Sequence, residues 1–114
     1  SNSGLKSRFT KTITFEDYKP EELMDIFRLY CRKEGYSIEP EAEATLKDRF
    51  RNMYDNRAFD FGNGRDVRNL FGKVKSVVAG RAYSKMKELI AEGADRQAAY
   101  EGSKPKTITK EDLL

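Results

Sequence analysis

The sequence predicts a mainly α fold, a small helical bundle of about four helices with one or two short extended segments, and three observations carry that prediction. Apolar residues recur at three- and four-residue spacing in three separate stretches, the period that lines one face of a helix. Each stretch opens on residues that start helices: proline followed by acids at Pro20 and Pro40, and asparagine at Asn63. Alternation of the strand type is confined to two brief runs, 12–15 and 107–109. At 114 residues the chain is one domain with room for a modest core, and 38% hydrophobic against 36% charged residues implies a heavily solvated surface around it.

The first run, Thr12-Ile13-Thr14-Phe15, is a short strand or extended connector leading to a helix from Pro20. Proline has no amide hydrogen to lose at the first helical position, and Glu21 and Glu22 complement the partial positive charge there. Gly35 suits the left-handed residue that stops this helix, whose buried stripe is Leu23, Ile26, Phe27, Tyr30 and Cys31. Ser37-Ile38-Glu39-Pro40-Glu41 repeats the start chemistry for a second helix, with Leu46, Phe50, Met53 and Tyr54 on one face. The pattern dissolves in 55–61, where Phe59 and Phe61 are expected to anchor the loop against neighbouring helices.

A third helix spans about 64–91, with Val67, Leu70, Phe71, Val74, Val78, Met86, Leu89 and Ile90 supplying apolar contacts. Gly72 and Gly80 interrupt it at ~1 kcal/mol each relative to alanine, so close helix packing is expected at both. Residues 92–105 are polar and contain Gly93, Gly102 and Pro105, which reads as a loop or a frayed helix end. Thr107-Ile108-Thr109 is extended again, and Thr109 with Asp112 makes a capping-box start for a last helix. Residues 11–17 and 106–112 match at six of seven positions, as two strand-to-helix junctions using the same chemistry rather than a repeat. The expected core is Leu23, Phe27, Tyr30, Leu46, Phe50, Val67, Leu70, Phe71 and Val74, with Arg65 exposed beside it.

One cysteine and no histidine exclude an internal disulfide and leave no zinc, haem or histidine acid–base site, so no metal is expected. Cys31 sits on the apolar stripe and reads as a core thiol rather than a nucleophile. There is no apolar run of about 18 residues and no secretory pattern, and a cytoplasmic location fits. Ser1-Asn2 reads as a protease-cleavage remnant ahead of a domain taken from something longer.

The net charge of +3 is concentrated in one segment. Residues 1–63 carry 11 basic and 12 acidic side chains, residues 64–91 carry 7 and 2, and residues 92–114 carry 4 and 5. The third helix therefore holds the whole excess, which hints at an anionic partner. Its start is the sharpest part of that hint. Asn63 reads as the N-cap, and Asp66 complements the dipole three residues on. Arg65 then falls at the second helical position and Arg68 on roughly the same face. A cation at the positive end of a helix is locally unfavourable unless an anion sits nearby, so the pair points to a phosphate, shared or divided with a partner such as Asp60. Solvated surface arginines are the competing reading. No G-x-x-x-x-G-K-[ST] loop and no apolar strand ending in paired acids is present, so the chain is not expected to hydrolyse a nucleotide alone, only to supply part of a site.

Three motifs carry a family resemblance that covers nearly the whole chain. Gly4-Leu5-Lys6-Ser7-Arg8-Phe9 resembles the G-L-x-S-R-F segment that closes the large subdomain of certain AAA+ ATPases. Ile13-x-Phe15-x-Asp17-Tyr18 resembles their connector into the C-terminal helical lid, and Gly62-Asn63-Gly64-Arg65-Asp66-Val67-Arg68-Asn69 resembles their sensor-2 motif, G-N-[AG]-R-x-[VI]-R-N. The sequence is most similar to the lid in the group containing stage V sporulation protein K, the red-type Rubisco activases and the type VII secretion ATPases. That resemblance implies that residues 3–10 end the large subdomain and 11–114 form the lid. It implies Arg65 as the sensor-2 arginine reaching the γ-phosphate in cis, Arg68 as a second arginine, and Arg8 as an arginine finger acting in trans on a neighbouring subunit's nucleotide. ATP and magnesium are the implied ligands of the intact protein, with none expected for these 114 residues alone. The implied partners are the large ATPase subdomain, neighbouring subunits of a hexamer and a remodelled protein substrate, with sporulation one setting and no membrane.

Two other classes compete: a small basic helical domain that binds nucleic acid through Arg65 to Lys87, and a protein-interaction module. The acidic first two helices offer no broad positive face, and no base-reading motif precedes the basic helix, which disfavours nucleic acid.

Overall fold

Proline, acids and glycine delimit the first helix as the sequence predicts. In a computed structural model of the chain, which describes residues 18–56 and 63–114, α1 runs Pro20–Glu34. The Glu22 carboxylate accepts from the Lys19 amide at 2.8 Å, and Gly35 ends the helix at φ 78°. Then follow β1 (Ser37–Ile38), α2 (Pro40–Asp55), α3 (Gly64–Ala91), α4 (Arg96–Gly102), β2 (Thr107–Ile108) and a 3₁₀ turn (Lys110–Leu113). The predicted run 12–15 and the anchoring residues Phe59 and Phe61 lie outside the described residues.

The core sits where α1, α2 and α3 meet. Leu23, Phe27, Leu46, Phe50, Val67, Phe71 and Val74 are buried in one cluster, with Tyr30 and Leu70 half-buried against it. Phe71 is its aromatic centre, 3% exposed. Its ring meets Phe27 edge-on at 5.5 Å between centroids, stacks on Tyr30 at 5.5 Å and meets Tyr36 edge-on at 5.7 Å. Val78, Ile108 and Leu113 extend the same cluster toward the later elements.

Four expectations need correction. Ser37 and Ile38, read as part of a helix start, form β1, which pairs in parallel with β2 in the register Ser37↔Thr107 and Ile38↔Ile108. A residue before proline is biased toward extended backbone, so Pro40 opens α2 while leaving the preceding segment free to pair. Residues 92–105 contain a true helix, α4, because the Asp95 side chain caps it by accepting from the Ala98 amide at 2.8 Å. The last element is a 3₁₀ turn rather than an α-helix, although Thr109 and Asp112 do cap it.

The fourth correction concerns the glycines. A Cβ at Gly72 or Gly80 would meet nothing within 4 Å, so neither marks a close approach of helices. The close approach is at Gly102, where a Cβ would lie 2.9 Å from Leu89 Cδ1. Ile90, expected to supply contacts, is 44% exposed, because the 28-residue α3 outruns the 15-residue α1 packed on it.

One guanidinium fastens the later elements to α3. Arg81 donates from Nε and Nη2 to the two Asp112 carboxylate oxygens at 3.2 and 2.9 Å, and from its terminal nitrogens to the carbonyls of Ser103, Lys104 and Thr107. Asp112 Oδ2 also accepts from the amide and hydroxyl of Thr109 at 2.9 and 3.0 Å. Burial alone would push the Asp112 carboxyl up, but the bonds from Arg81 and Thr109 outweigh it and hold the group below the usual carboxylate range. From α2, Arg49 donates to the Leu113 carbonyl at 2.5 Å.

Two stability measurements follow from this packing. Phe71→Ala should cost ~3–5 kcal/mol in urea denaturation, since it empties the meeting point of three helices. Because the folded carboxyl of Asp112 titrates below its unfolded value of about 3.9, its contribution is complete above that value and is lost as pH falls through the lower folded one. Asp112→Asn should therefore lower stability at neutral pH and flatten the acid limb of the stability–pH curve; an unchanged limb would show that another carboxylate governs it.

Candidate functional site

The start of α3 rests against α1, and between them lies a groove of about 380 Å³ lined by Tyr18, Ile26, Tyr30, Gly64, Arg65 and Arg68. Its geometry follows from the register of α3. With Val67, Phe71 and Val74 turned into the core, Arg65 and Arg68 stand one turn apart on the solvent side, both exposed. Arg65 occupies the second helical position, as the sequence predicts. Neither guanidinium has an ion pair among the described residues. Asp60, the structural partner considered for them, lies outside the described residues, as does Arg8.

The opposite wall is apolar and aromatic. Ile26 and Tyr30 come from α1 and are half-buried against the core, Tyr30 through its stacking on Phe71. Tyr18, 43% exposed, closes one end. Its Cε2 lies 3.9 Å from where a Cβ on Gly64 would stand, so an alanine would fit there in ordinary contact.

Asn63 departs from its expected role. It occupies the N-cap position of α3 but makes no capping hydrogen bond. Its Oδ1 accepts instead from the Tyr18 amide at 2.8 Å, across 45 residues of sequence. Its backbone, at φ 48° and ψ −115°, lies in a region that side-chain-bearing residues rarely adopt, asparagine more readily than most. Sequence reasoning missed this contact and the roles of Ile26 and Tyr30 in the groove, although Tyr18 and Asn63 both fall within the motifs it singled out.

In two other cavities a central arginine is already engaged. One of about 320 Å³ is lined by Arg28, Cys31, Arg32, Tyr36, Ile38 and Glu43. Arg28 is paired there with Glu43 and Asp25, and its hydrogen bond holds the Glu43 carboxyl low. Burial, helped by the charge of Glu34, pushes the Cys31 thiol up to about 11, which keeps it a core thiol and not a nucleophile. The other, about 340 Å³, borders Arg81, whose donors are already directed at Asp112 and three carbonyls. Among the described residues no three acidic or cysteine side chains gather as a metal site, and no helix is long and apolar enough to cross a membrane.

A small helical unit with two outward arginines at the start of its long third helix is thus in place, and comparison with known proteins gives its class. The AAA lid domain family matches residues 19–114, and the chain belongs to it. It is 33% identical over 87 residues to the chloroplastic ribulose bisphosphate carboxylase/oxygenase activase of Cyanidioschyzon merolae, covering 74% of this chain and 28% of that protein. It is 38% identical over 73 residues to stage V sporulation protein K of Bacillus subtilis, covering 63% and 23%, and 31% identical over 77 residues to protein CfxQ of Xanthobacter flavus, covering 66% and 23%. The chain thus spans less than a third of the length of these relatives.

Proposed function

We propose that this lid closes over a nucleotide held by an AAA+ ATPase core and supplies Arg65 as the sensor-2 arginine, so that ATP binding and hydrolysis drive remodelling of a protein partner. The observation that carries this reading is the groove itself: two exposed guanidiniums without ion pairs among the described residues face an apolar wall, in a chain of the AAA lid family. A nucleotide has the same division, an anionic end and a planar apolar one. Phosphate oxygens suit guanidinium donors, which bind them through paired hydrogen bonds. Bound ATP with magnesium would supply the phosphoryl chemistry, and among the described residues the groove offers no carboxylate to hold the metal, so in this reading those ligands come from the ATPase core.

In this reading Arg65 approaches the γ-phosphate in cis and stabilises the charge on its oxygens, with Arg68 as the adjoining donor. Arg8 serves a different site, acting in trans on the nucleotide of the next subunit in a hexamer. We assign the protein to the cytoplasm, and sporulation is one process in which its machine could act. Nucleic-acid binding by α3 is disfavoured because its positive charge is broken up: Lys75 pairs with Glu34, Arg81 with Asp112 and Lys85 with Glu88.

Titration calorimetry of this chain with ATP and magnesium should give no sub-micromolar binding, and such binding would mean that a complete site is present. In the intact ATPase, measured as a monomer, Arg65→Ala should weaken ATP affinity by about tenfold or more, the value of a charge-assisted hydrogen bond. Arg8→Ala should leave that affinity unchanged and impair only assembled, hydrolysing protein. The reverse pattern would overturn the cis and trans assignments.

A further inference from the structure

We propose that Asn63 is a positioning residue, a latch that holds Tyr18 and Lys19, the segment entering α1, against the start of α3 and thereby sets the width of the nucleotide groove. The proposal rests on the reading of Arg65 given above and extends it to a side chain that need not touch the ligand. The argument begins with a conflict. Asn63 stands where an asparagine ordinarily caps a helix, yet its side chain leaves the α3 amides and takes the Tyr18 amide at 2.8 Å. The Asn63 carbonyl meanwhile accepts the first helical bond, from the Val67 amide at 3.2 Å. One residue therefore joins α3 through its backbone and the entering segment through its side chain.

That bond lies directly behind the groove. Tyr18, whose amide is held, lines one end of it, and Gly64 and Arg65, the next two residues after Asn63, line another side. The Tyr18 ring also reaches to 3.9 Å of the Cβ position of Gly64. Any swing of the entering segment therefore moves the Tyr18 wall relative to the arginines unless the latch holds. The backbone of Asn63 has a positive φ of 48°, and such sparsely populated conformations persist where the surrounding structure determines them.

The test separates latch from ligand. Asn63→Gly keeps a backbone at ease with positive φ and removes the side-chain acceptor of the Tyr18 amide. In this chain, amide exchange read by NMR should speed up at Tyr18 while the Phe27 amide stays protected; an unchanged Tyr18 rate overturns the proposal. In the intact ATPase, Asn63→Gly should weaken ATP affinity by about fivefold, the weight of one ordinary hydrogen bond. The same change placed on Arg65→Ala should have no further effect, because a positioning residue has nothing left to position. If Arg65→Ala weakens binding and Asn63→Gly does not, or if the two effects simply add, the latch is refuted while the function of Arg65 stands. If Arg65→Ala itself has no effect, the phosphate reading fails and this proposal falls with it.

Discussion

The enclosure of the Phe71 ring by Phe27, Tyr30 and Tyr36 is the constraint on which the remaining geometry depends. A helix packed through one aromatic residue in a three-sided socket cannot rotate about its axis without expelling that ring into water. Once Phe71 is seated, Val67 and Val74 follow it inward, and residues 65 and 68 are carried to the outside by helical period alone. The exposure of the two arginines is thus a by-product of core packing and needs no contact of their own. Tyr30 links the two regions, since one face of its ring stacks on Phe71 and the side chain also lines the groove. Core and site share a wall.

What could be read from the sequence was whatever is local. Pro20, Pro40 and Gly35 act on their own backbones, and the period of α1, α2 and α3 is written in adjacent turns, so those helices and most of the core were legible in advance. The β1–β2 pairing was not, because two residues cannot display an alternation and their partners lie far along the chain. α4 was obscured by Gly93 and Gly102, which suggested a loop, whereas Asp95 carried a cap signal that outweighed them. At the site, the arginines announced themselves by being in an electrostatically awkward place. Asn63 was legible as a helix boundary but not as a long-range acceptor, since an N-cap and an acceptor for Tyr18 use the same atom and only tertiary structure decides between them.

Membership in the AAA lid family gives the division of charge along α3 a simple meaning. Three cations of its middle and end are engaged, Lys75 with Glu34 of α1, Arg81 with Asp112 and Lys85 with Glu88 of the same helix, and the first two hold other elements in place. Those at its start are turned outward. A single helix therefore divides its cations, some engaged with other side chains along its length and two turned to solvent at its tip. Arg81 is the strongest example of such engagement, since one planar group donates to three carbonyls where α4 ends and β2 begins, together with a buried carboxylate that would otherwise lack a cation.

The placement of β2 and the 3₁₀ turn has a consequence for how the protein comes into being. Ile108 and Leu113 complete a core begun by Leu23, and Ser37 pairs with Thr107, so α1 and α2 are finished by residues far later in the sequence. A ribosome adds about 5–20 residues per second, which leaves α1 and α2 waiting several seconds with apolar faces uncovered. During that interval the nascent chain is a client for any chaperone that binds exposed leucine and phenylalanine. A chain lacking residues 107–112 would leave Arg81 without its carboxylate and Ile38 without its partner, and α1 and α2 with an unfinished core.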